Sequence, residues 1–259
     1  MTAPEQDPGT AEPSRTAAHS STSPLPPPEH KAAAVQRMFG AIAPRYDLLN
    51  HLLSLNRDRY WRRRAVDRLE KGDPTARLFL DACAGTLDLS LELAVRPHFN
   101  GLVVASDFSF NMLRAGAGKL RNRPIRMVCG DALNLPVPDA TFHAAMVAFG
   151  VRNLSSLDAG LRELARVIRP GARLVVLEFT TPSRQPLRSL YLFYFRRLLP
   201  LIGRLLSGHQ SAYAYLPASV LEFPGPRGLA ERMQAAGFRD VRWEAMTGGI
   251  VTLHTATRL

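Results

Sequence analysis

Short apolar runs alternate with amphipathic stretches through the middle of the chain. Five runs have the length and bulk of buried strands: 77–82, 101–107, 125–130, 142–149 and 172–180. Between them, apolar residues recur three and four positions apart, which predicts helices at 88–96, 109–121 and 157–169. Pro170 and Gly171 are typical of a helix end and close the last of these helices. The alternation predicts an α/β fold with a mostly parallel sheet between two layers of helices.

The pattern changes on either side of this core. Residues 31–72 carry a helical repeat, which predicts an N-terminal helical lid ahead of a main domain at 73–259. A strongly apolar, Arg-studded stretch predicts a helical insertion at about 183–226. Two closing strands, at 241–248 and 250–258, are separated by a Gly-Gly pair, so we expect a tight turn and an antiparallel last strand.

Residues 1–30 differ from the rest of the chain in composition. They contain seven prolines, many Ser and Thr, and almost no large apolar side chain. Such a segment cannot bury enough apolar surface to offset its chain entropy, so we expect a disordered tail. It lacks the apolar core of a signal peptide, and one Arg against four acidic residues is unlike a transit peptide.

The formal net charge is +11, and 30 of the 33 basic residues are Arg. This charge reflects either a solvated surface or an anionic partner such as membrane headgroups. We expect no nucleic-acid partner, because basic patches with interleaved aromatic residues are absent. No uninterrupted apolar run is long enough to span a membrane, and the two cysteines lack metal-ligand spacing, so no metal is expected.

Acidic residues end three successive predicted strands. Asp81 closes the first and is followed by Gly85, Asp107 closes the second, and Asp131 with Ala132 closes the third. Ligands of open parallel sheets bind beyond the carboxyl ends of the strands. A carboxylate there can accept both hydroxyls of a ribose, so these residues predict a nucleoside site. Aspartates that merely cap helices are the alternative.

The loop after the first strand restricts the kind of nucleoside. A dinucleotide site would need G-x-G-x-x-G to hold a pyrophosphate, whereas this loop is A-G-T-L-D. A single glycine beside an acidic residue favours a cationic ligand without phosphates. S-adenosylmethionine, with its sulfonium and ammonium groups, fits that description.

Longer segments make the comparison specific. In chain order they are "FGAIAPRYDLLNHLLSLNRDRYWRR", "FGVRNL" (149–154), "RVIRPGARLVVLEFTTP" (166–182), "AYAYLPASVLEFPG" (212–225), "AAGFRDV" and "TGGIVTLH". Over about residues 35–258 the chain resembles the ubiquinone/menaquinone biosynthesis C-methyltransferases. The resemblance implies a Rossmann-like class I S-adenosylmethionine-dependent methyltransferase fold with a seven-stranded sheet. It also implies methylation of a ring carbon of a prenylated quinol in respiratory quinone biosynthesis, with demethylmenaquinol favoured over a benzoquinol.

The resemblance also assigns residues. Cofactor contacts carry over onto Thr86, Asp107, Asp131 and Ala132. The pair Arg152 and Asn153 follows the fourth strand; we expect Arg152 to stabilise a developing phenolate and Asn153 to orient it. A purely structural turn is the alternative for this pair.

Three positions depart from the family pattern. Leu87 stands where relatives have a Gly, so we expect a left-handed leucine at a cost of about 1–2 kcal/mol, with a side chain that approaches the methionine part of the cofactor. Ala148 replaces a Ser, and His143 replaces an Asp. Leu87 keeps a catalytically silent lipid-binding or partner-binding relative as one alternative, and another prenyl-phenol or secondary metabolite as acceptor is a second.

Further roles stay open at the level of sequence. Tyr46 and Asp47 either close over the cofactor or simply start a helix, and His254 is either a base or a packed strand residue. The segment 186–206 either lies on a membrane and admits a lipid-tailed quinol or covers the sheet as a helix pair. We expect a cytoplasmic protein. If segment 186–206 lies on a membrane, we expect peripheral contact to its inner face.

Overall fold

The computed structural model describes residues 25–198 and 210–259. In this part of the chain a seven-stranded sheet has the order β3-β2-β1-β4-β5-β7-β6. The strands are β1 (Leu78–Ala82), β2 (Leu102–Asp107), β3 (Ile125–Cys129), β4 (Phe142–Ala148), β5 (Ile168–Phe179), β6 (Phe238–Met246) and β7 (Val251–Arg258). Strands β1 to β5 pair in parallel, and β7 is antiparallel to both neighbours. The predicted sheet, including its antiparallel last strand, is confirmed.

Helices cover both faces of the sheet and extend the N-terminal side. They are α1 (Pro28–Ile42), α2 (Tyr46–Leu53), α3 (Arg57–Leu69), α4 (Asp88–Ala94), α5 (Phe110–Ala117), α6 (Leu157–Val167), α7 (Leu187–Phe193), α8 (Gln210–Glu222) and α9 (Pro226–Ala235). A π-helical turn at Tyr194–Leu198 continues α7, and a 3₁₀ turn at Val151–Asn153 follows β4. Ser156 caps α6, because its hydroxyl accepts a hydrogen bond from the backbone N–H of Ala159 at 3.2 Å.

The core is layered on the two faces of the sheet. On one face, Val66 of α3 and Leu93 of α4 pack in a cluster with Leu177 of β5. On the other face, Leu164 of α6 lies in a cluster with Val176 of β5. Neighbouring residues of β5 therefore point to opposite layers, and both layers are apolar, as expected for a central strand of a parallel sheet.

The end of α6 differs from the prediction. The helix ends at Val167, and β5 already begins at Ile168, so Pro170 and Gly171 lie inside the strand rather than at a helix end. The pairing of β5 with β4 shifts register within this stretch. A bulge of this kind accommodates a proline, which has no N–H for the ladder, and Gly171 takes a positive φ of 78° there.

The N-terminal helix starts slightly earlier than predicted, at Pro28. Most of the predicted tail, residues 1–24, lies outside the described residues, as do residues 199–209 of the predicted insertion. Over residues 25–198 and 210–259, none of the helices combines the length and apolar character needed to cross a bilayer.

Candidate functional site

The loop between β1 and α4 has an unusual backbone. Cys83, Gly85 and Leu87 have positive φ values of 57°, 54° and 73°. Two of the three are not glycine, and a left-handed conformation costs such residues about 1–2 kcal/mol each. The predicted left-handed conformation of Leu87 is confirmed. This backbone turns the chain sharply between β1 and α4 and opens a cleft above the strand ends.

The side chain of Leu87 lies away from that cleft. It is fully buried in the core cluster that contains Leu89 and Leu93. It packs against Gly116 of α5, where an added Cβ would lie 2.8 Å from Leu87 Cγ. The expectation that Leu87 reaches into the ligand site is therefore wrong. Leu87 has the strained left-handed backbone that was expected, but its side chain packs in the hydrophobic core.

The polar cleft is the space at the carboxyl ends of β1, β2 and β3. It is lined by residues from all three strand ends and from the turn after β4, including Gly85, Asp107, Asp131, Ala132, Gly150 and Asn153. Four of the predicted cofactor residues and one of the predicted catalytic residues thus share one space. The lid contributes Ala32, Phe39 and Tyr46 to the same cleft.

Asp107 is the buried acid of the polar cleft. Its Oδ2 accepts a hydrogen bond from the N–H of Gly85 and its Oδ1 accepts one from the N–H of Ser109, both at 2.8 Å. Each carboxylate oxygen can accept a second donor, so both remain open to a ligand. Burial raises the pKa of Asp107, and the two backbone N–H groups oppose this rise.

Asp131 is the exposed acid of the same cleft. Its Oδ1 accepts a hydrogen bond from the N–H of Leu133 at 2.9 Å, which fixes the turn after β3. Ala132 next to it is buried and presents an apolar face. A polar edge and an apolar face therefore stand side by side, which suits a heteroaromatic ring.

Asp81 and Thr86 lie behind the loop and outside the lining of the polar cleft, so the expected direct contact is not seen. Asp81 Oδ2 accepts a hydrogen bond from the Ser90 hydroxyl at 2.6 Å, and burial raises the pKa of Asp81 to about 7. The Thr86 hydroxyl donates to Asp47 Oδ1 at 2.5 Å. Both residues support the loop from the rear.

A second space, the apolar cavity, adjoins the polar cleft. It has a volume of about 670 Å³ and is lined mainly by aliphatic and aromatic side chains. They come from α1, α2, α3 and α7, from the end of β5 and from the π-helical turn, and include Met38, Leu49, Trp61, Phe179 and Phe195. Among these residues, sequence reasoning connected only Phe195 with the acceptor, through the alternative in which segment 186–206 admits a lipid-tailed quinol. Met38, Leu49, Trp61 and Phe179 were not assigned to a site.

Phe39, Tyr46 and Phe149 line both spaces, so the polar cleft and the apolar cavity meet at these side chains. The ring of Phe149 stacks on that of Phe179 with centroids 4.4 Å apart. Trp61 packs edge-on against both rings. The junction is therefore walled by aromatic rings whose positions are mutually fixed.

Arg152 lines the apolar cavity and is almost fully buried. Its Nη1 donates to Glu178 Oε1 and to the carbonyl of Phe149, each at 2.6 Å. Its guanidinium also lies over the ring of Phe179, 5.4 Å from the centroid. Arg152 Nε is buried and has no hydrogen-bond partner among the described residues. A fixed cation whose hydrogen-bonding capacity is only partly used thus belongs to the wall of an apolar space.

Asn153 forms a bridge between elements. Its Nδ2 donates to the carbonyl of Phe149 at 3.2 Å, and its Oδ1 accepts a hydrogen bond from the Tyr215 hydroxyl at 3.2 Å. Tyr215 belongs to α8 and lines the apolar cavity, whereas Asn153 lines the polar cleft. The Asn153 side chain therefore links α8 to Phe149, where the polar cleft and the apolar cavity meet.

Two lysines hold the lid in place. Lys31 Nζ donates to the carbonyls of Arg152 and Leu154, at 2.9 and 2.7 Å. Lys119 Nζ lies 2.7 Å from Asp47 Oδ2 and 2.6 Å from Asp88 Oδ1. Tyr46 begins α2 and lines the polar cleft, and Asp47 next to it is held by Thr86 and Lys119.

Two other sets of polar residues, His254 and the cluster of His51, Asp58 and Asp88, are held by contacts within the protein. His254 is fully buried, its Nε2 lies 2.8 Å from the carbonyl of Pro226, and burial lowers its pKa to about 4; it lines neither space. His51, Asp58 and Asp88 bring ligand atoms close enough for a metal ion, within the described residues. The Arg62 guanidinium already forms ion pairs with both aspartates, so the positive charge there comes from the protein.

Known proteins match this chain over most of its length. The model of the ubiE/COQ5 methyltransferase family matches residues 28–258. A demethylmenaquinone methyltransferase of Mycolicibacterium gilvum is 45% identical over 86% of this chain and 94% of its own length. One from Deinococcus radiodurans is 48% identical, over 86% and 91%. One from Thermus thermophilus is 47% identical, over 85% and 100%.

Solved structures show the same fold at low identity. An S-adenosylmethionine-dependent methyltransferase from Thermotoga maritima, described as a possible histamine N-methyltransferase, has a TM-score of 0.60 at 17% identity and covers 87% of this chain and 100% of its own. The cyclase SpnF has a TM-score of 0.55 at 19% identity, over 76% and 81%. A cyclase among the matches shows that this fold by itself does not fix the reaction. The sequence matches do fix the family: this chain belongs to the ubiE/COQ5 methyltransferase family.

Proposed function

We propose that this chain transfers a methyl group from S-adenosylmethionine to a ring carbon of a prenylated quinol, with demethylmenaquinol as the favoured acceptor. The observation that carries the proposal is the meeting of an acidic polar cleft and an apolar cavity at Phe39, Tyr46 and Phe149. Relatives at 45–48% identity are demethylmenaquinone methyltransferases, which supports the naphthoquinol class.

The polar cleft fits the cofactor in charge and in the placement of its hydrogen-bond acceptors. Asp107 offers one open acceptor site on each oxygen, which suits the two ribose hydroxyls, and Asp131 with Ala132 suits the edge and face of adenine. Among the described residues, the cleft lining includes no Lys or Arg, so a phosphate-bearing cofactor finds no cation there. When bound, S-adenosylmethionine supplies an electrophilic methyl group on a positively charged sulfur.

The apolar cavity fits the acceptor. Aromatic walls formed by Phe149 and Phe179 suit a flat ring at the inner end, next to the polar cleft. The outer end is lined by aliphatic and aromatic side chains of α2 and α7, which suit an isoprenoid tail. Burial of that tail would provide most of the affinity, because apolar surface removed from water contributes about 25 cal/mol per Å².

Arg152 supplies the electrostatic part of the chemistry. A quinol ring becomes a strong carbon nucleophile as its hydroxyl loses a proton, and a fixed guanidinium in an apolar space stabilises the phenolate that forms. Glu178 holds Arg152 in place, and the guanidinium N–H groups that Glu178 and the Phe149 carbonyl do not engage are the donors for the quinol oxygen. Asn153 acts through other groups: it fixes the Phe149 carbonyl and Tyr215, and so the shape of the junction.

The buried position of Leu87 also bears on function. A silent relative was favoured by a leucine that would block the ligand site, and the Leu87 side chain lies in the core instead. The Leu87 side chain therefore does not favour loss of the cofactor.

The experiment is a methyl-transfer assay with reduced, short-chain demethylmenaquinol and S-adenosylmethionine, followed by mass spectrometry. One added methyl on the ring is the expected product. A prenylated benzoquinol and a simple prenyl-phenol, tested in parallel, decide the acceptor class. Absence of product with all three acceptors, in protein that binds S-adenosylmethionine by calorimetry, would contradict the proposal.

We further propose that the mouth of the apolar cavity rests on an anionic membrane surface. Leu55, Leu190 and Phe193 line the cavity and are more than half exposed, at 81%, 65% and 56%. Leu48 of α2 is also exposed, and Arg188 of α7 is exposed on the same helix as Leu190 and Phe193. An apolar rim with basic residues is the pattern of an interfacial site, and it would let a lipid-tailed quinol enter directly.

Flotation with vesicles tests this contact. The protein is expected to float with vesicles that contain anionic lipid and to float less with zwitterionic ones. Leu55→Asp combined with Phe193→Asp should abolish flotation, whereas Trp243→Ser, which removes an exposed apolar residue away from the cavity, should not. Equal flotation of the two variants would contradict the proposed surface.

A further inference from the structure

The hydroxyl of Tyr191 is a buried donor without a partner. Tyr191 lies in α7, is 5% exposed and lines the apolar cavity. Its hydroxyl is buried and forms no hydrogen bond with the described residues. Buried polar groups in folded proteins are almost always paired, so an unpaired hydroxyl that lines a cavity points to a ligand.

Neighbouring tyrosines provide the comparison. The Tyr194 hydroxyl donates to the carbonyl of Leu53 at 3.3 Å, and the Tyr215 hydroxyl donates to Asn153 Oδ1 at 3.2 Å. Both residues line the same cavity as Tyr191. Among the described residues, the hydroxyls of Tyr194 and Tyr215 are thus hydrogen-bonded to protein atoms, whereas that of Tyr191 is not.

Tyr191 keeps the proton that a donor needs. Burial in the apolar cavity raises the pKa of Tyr191 far above that of an exposed tyrosine, and the nearby Arg152 lowers it only in part. The ring is also held in one orientation, because it packs on Phe195 with centroids 4.3 Å apart. The hydroxyl is therefore a fixed, neutral donor.

Arg152, which lines the same cavity, also carries a buried donor without a partner among the described residues, namely Nε. A quinol carries two oxygens on opposite sides of its ring, and these two residues of the cavity wall each carry an unpaired donor that matches one of them. We propose that Tyr191 donates a hydrogen bond to the quinol oxygen that Arg152 does not bind, and so selects para-dihydroxy rings over monohydroxy rings. This inference rests on the proposed function and adds a specificity-determining residue to it.

The test compares two acceptors and two variants. One acceptor is the prenylated naphthoquinol, and the other is the naphthol with the same tail that keeps only the hydroxyl next to the methylated carbon. Their Kd values are measured under reducing conditions with S-adenosylhomocysteine present. Tyr191→Phe is expected to weaken quinol binding about five- to twentyfold and naphthol binding less than about twofold. The control Tyr194→Phe should change both Kd values by the same factor.

Thermal stability provides a second readout. A hydroxyl without a protein partner contributes nothing to the fold, so Tyr191→Phe should keep or raise Tm, whereas Tyr194→Phe should lower it. Equal weakening of both acceptors by Tyr191→Phe, or a lower Tm for that variant, would overturn the inference. If the natural protein binds and methylates neither acceptor, the proposed function itself fails, which is a distinguishable result.

Discussion

The polar cleft and the apolar cavity are built in opposite ways. The cleft takes its walls mainly from strand ends and the loops that follow them, and its acids are held by backbone N–H groups of those loops. The cavity takes its walls from the N-terminal helices and the insertion together with Phe149, Arg152 and Phe179, and its polar groups are held by distant side chains such as Glu178. The cofactor side is a local structure on the sheet, and the acceptor side depends on the tertiary packing of lid and insertion.

Among the substitutions that compare the two spaces, we expect the largest effect from a change of Arg152 in the apolar cavity. Arg152→Gln leaves the buried charge of Glu178 unpaired, so the free energy of unfolding should fall by about 3–5 kcal/mol. Methyl transfer should fall by about 100-fold or more, since the phenolate loses its cation. Denaturant unfolding and kcat measure the two effects separately.

A double variant separates the two roles of Arg152. Adding Glu178→Gln to Arg152→Gln removes the unpaired charge, so most of the stability should return while kcat stays low. Recovery of both quantities would contradict a role for Arg152 in the reaction and leave it with a structural one.

In the polar cleft, Asp107→Asn is expected to weaken S-adenosylmethionine binding about 100-fold. The amide keeps the shape, loses the charge, and places a donor against the N–H groups of Gly85 or Ser109. Calorimetry gives the Kd. Asp131→Asn is the matched control, and because Asp131 is exposed its effect should be smaller. A larger effect at Asp131 would reverse the assignment of the buried acid to the ribose.

Asp81, which lies behind the loop of the polar cleft, should make the free energy of unfolding depend on pH. Burial raises the pKa of Asp81 to about 7, whereas the unfolded chain loses this proton near pH 4. The folded state therefore binds more protons between these values, and the stability due to this group is lost as the pH rises from about 4 to about 7. Asp81→Asn should remove this slope and be more stable than the natural protein at about pH 8, by on the order of 2–4 kcal/mol.

Denaturant unfolding from about pH 5 to about pH 8 measures this slope. An Asp81→Asn variant that is less stable at the alkaline end would show that the ionised carboxylate is the favoured form, stabilised by Arg62.

The smallest effect on function is expected at Leu87. Leu87→Gly removes a core side chain but relieves the left-handed backbone, so unfolding free energy should fall by about 1–3 kcal/mol. The Kd for S-adenosylmethionine should change less than about twofold, since the side chain does not line the cleft. Markedly tighter binding by Leu87→Gly would show that the leucine does restrict the ligand.

Sequence patterns predicted the sheet and most of the polar cleft because both depend on local signals. Alternating apolar runs located the strands along the chain, and a carboxylate after an apolar run places Asp107 and Asp131 at strand ends. The same logic placed Asp81 in the cleft, but its partner Ser90 lies on the following helix and draws the carboxylate behind the loop. The conformation of Leu87 could be anticipated, whereas its direction depended on Gly116 of another helix.

The apolar cavity could not be predicted for a physical reason. Its residues are ordinary members of amphipathic helices, and nothing in such a pattern distinguishes a side chain that packs on the sheet from one that faces a space. Tyr191 illustrates the limit, because an unpaired hydroxyl is defined by what surrounds it in three dimensions. The 3₁₀ turn at Arg152 was found only through the family resemblance.

The rarity of lysine in this chain has a practical consequence. Only Lys31, Lys71 and Lys119 occur beside thirty arginines, and two of the three fasten the lid to the rest of the protein. Their ammonium groups are engaged in these contacts, whereas Lys71 is exposed and lines a groove elsewhere. Amine-selective labelling read by mass spectrometry therefore contains its own internal reference, because the reactivity of Lys31 and Lys119 can be expressed as a ratio to that of Lys71 in the same molecule.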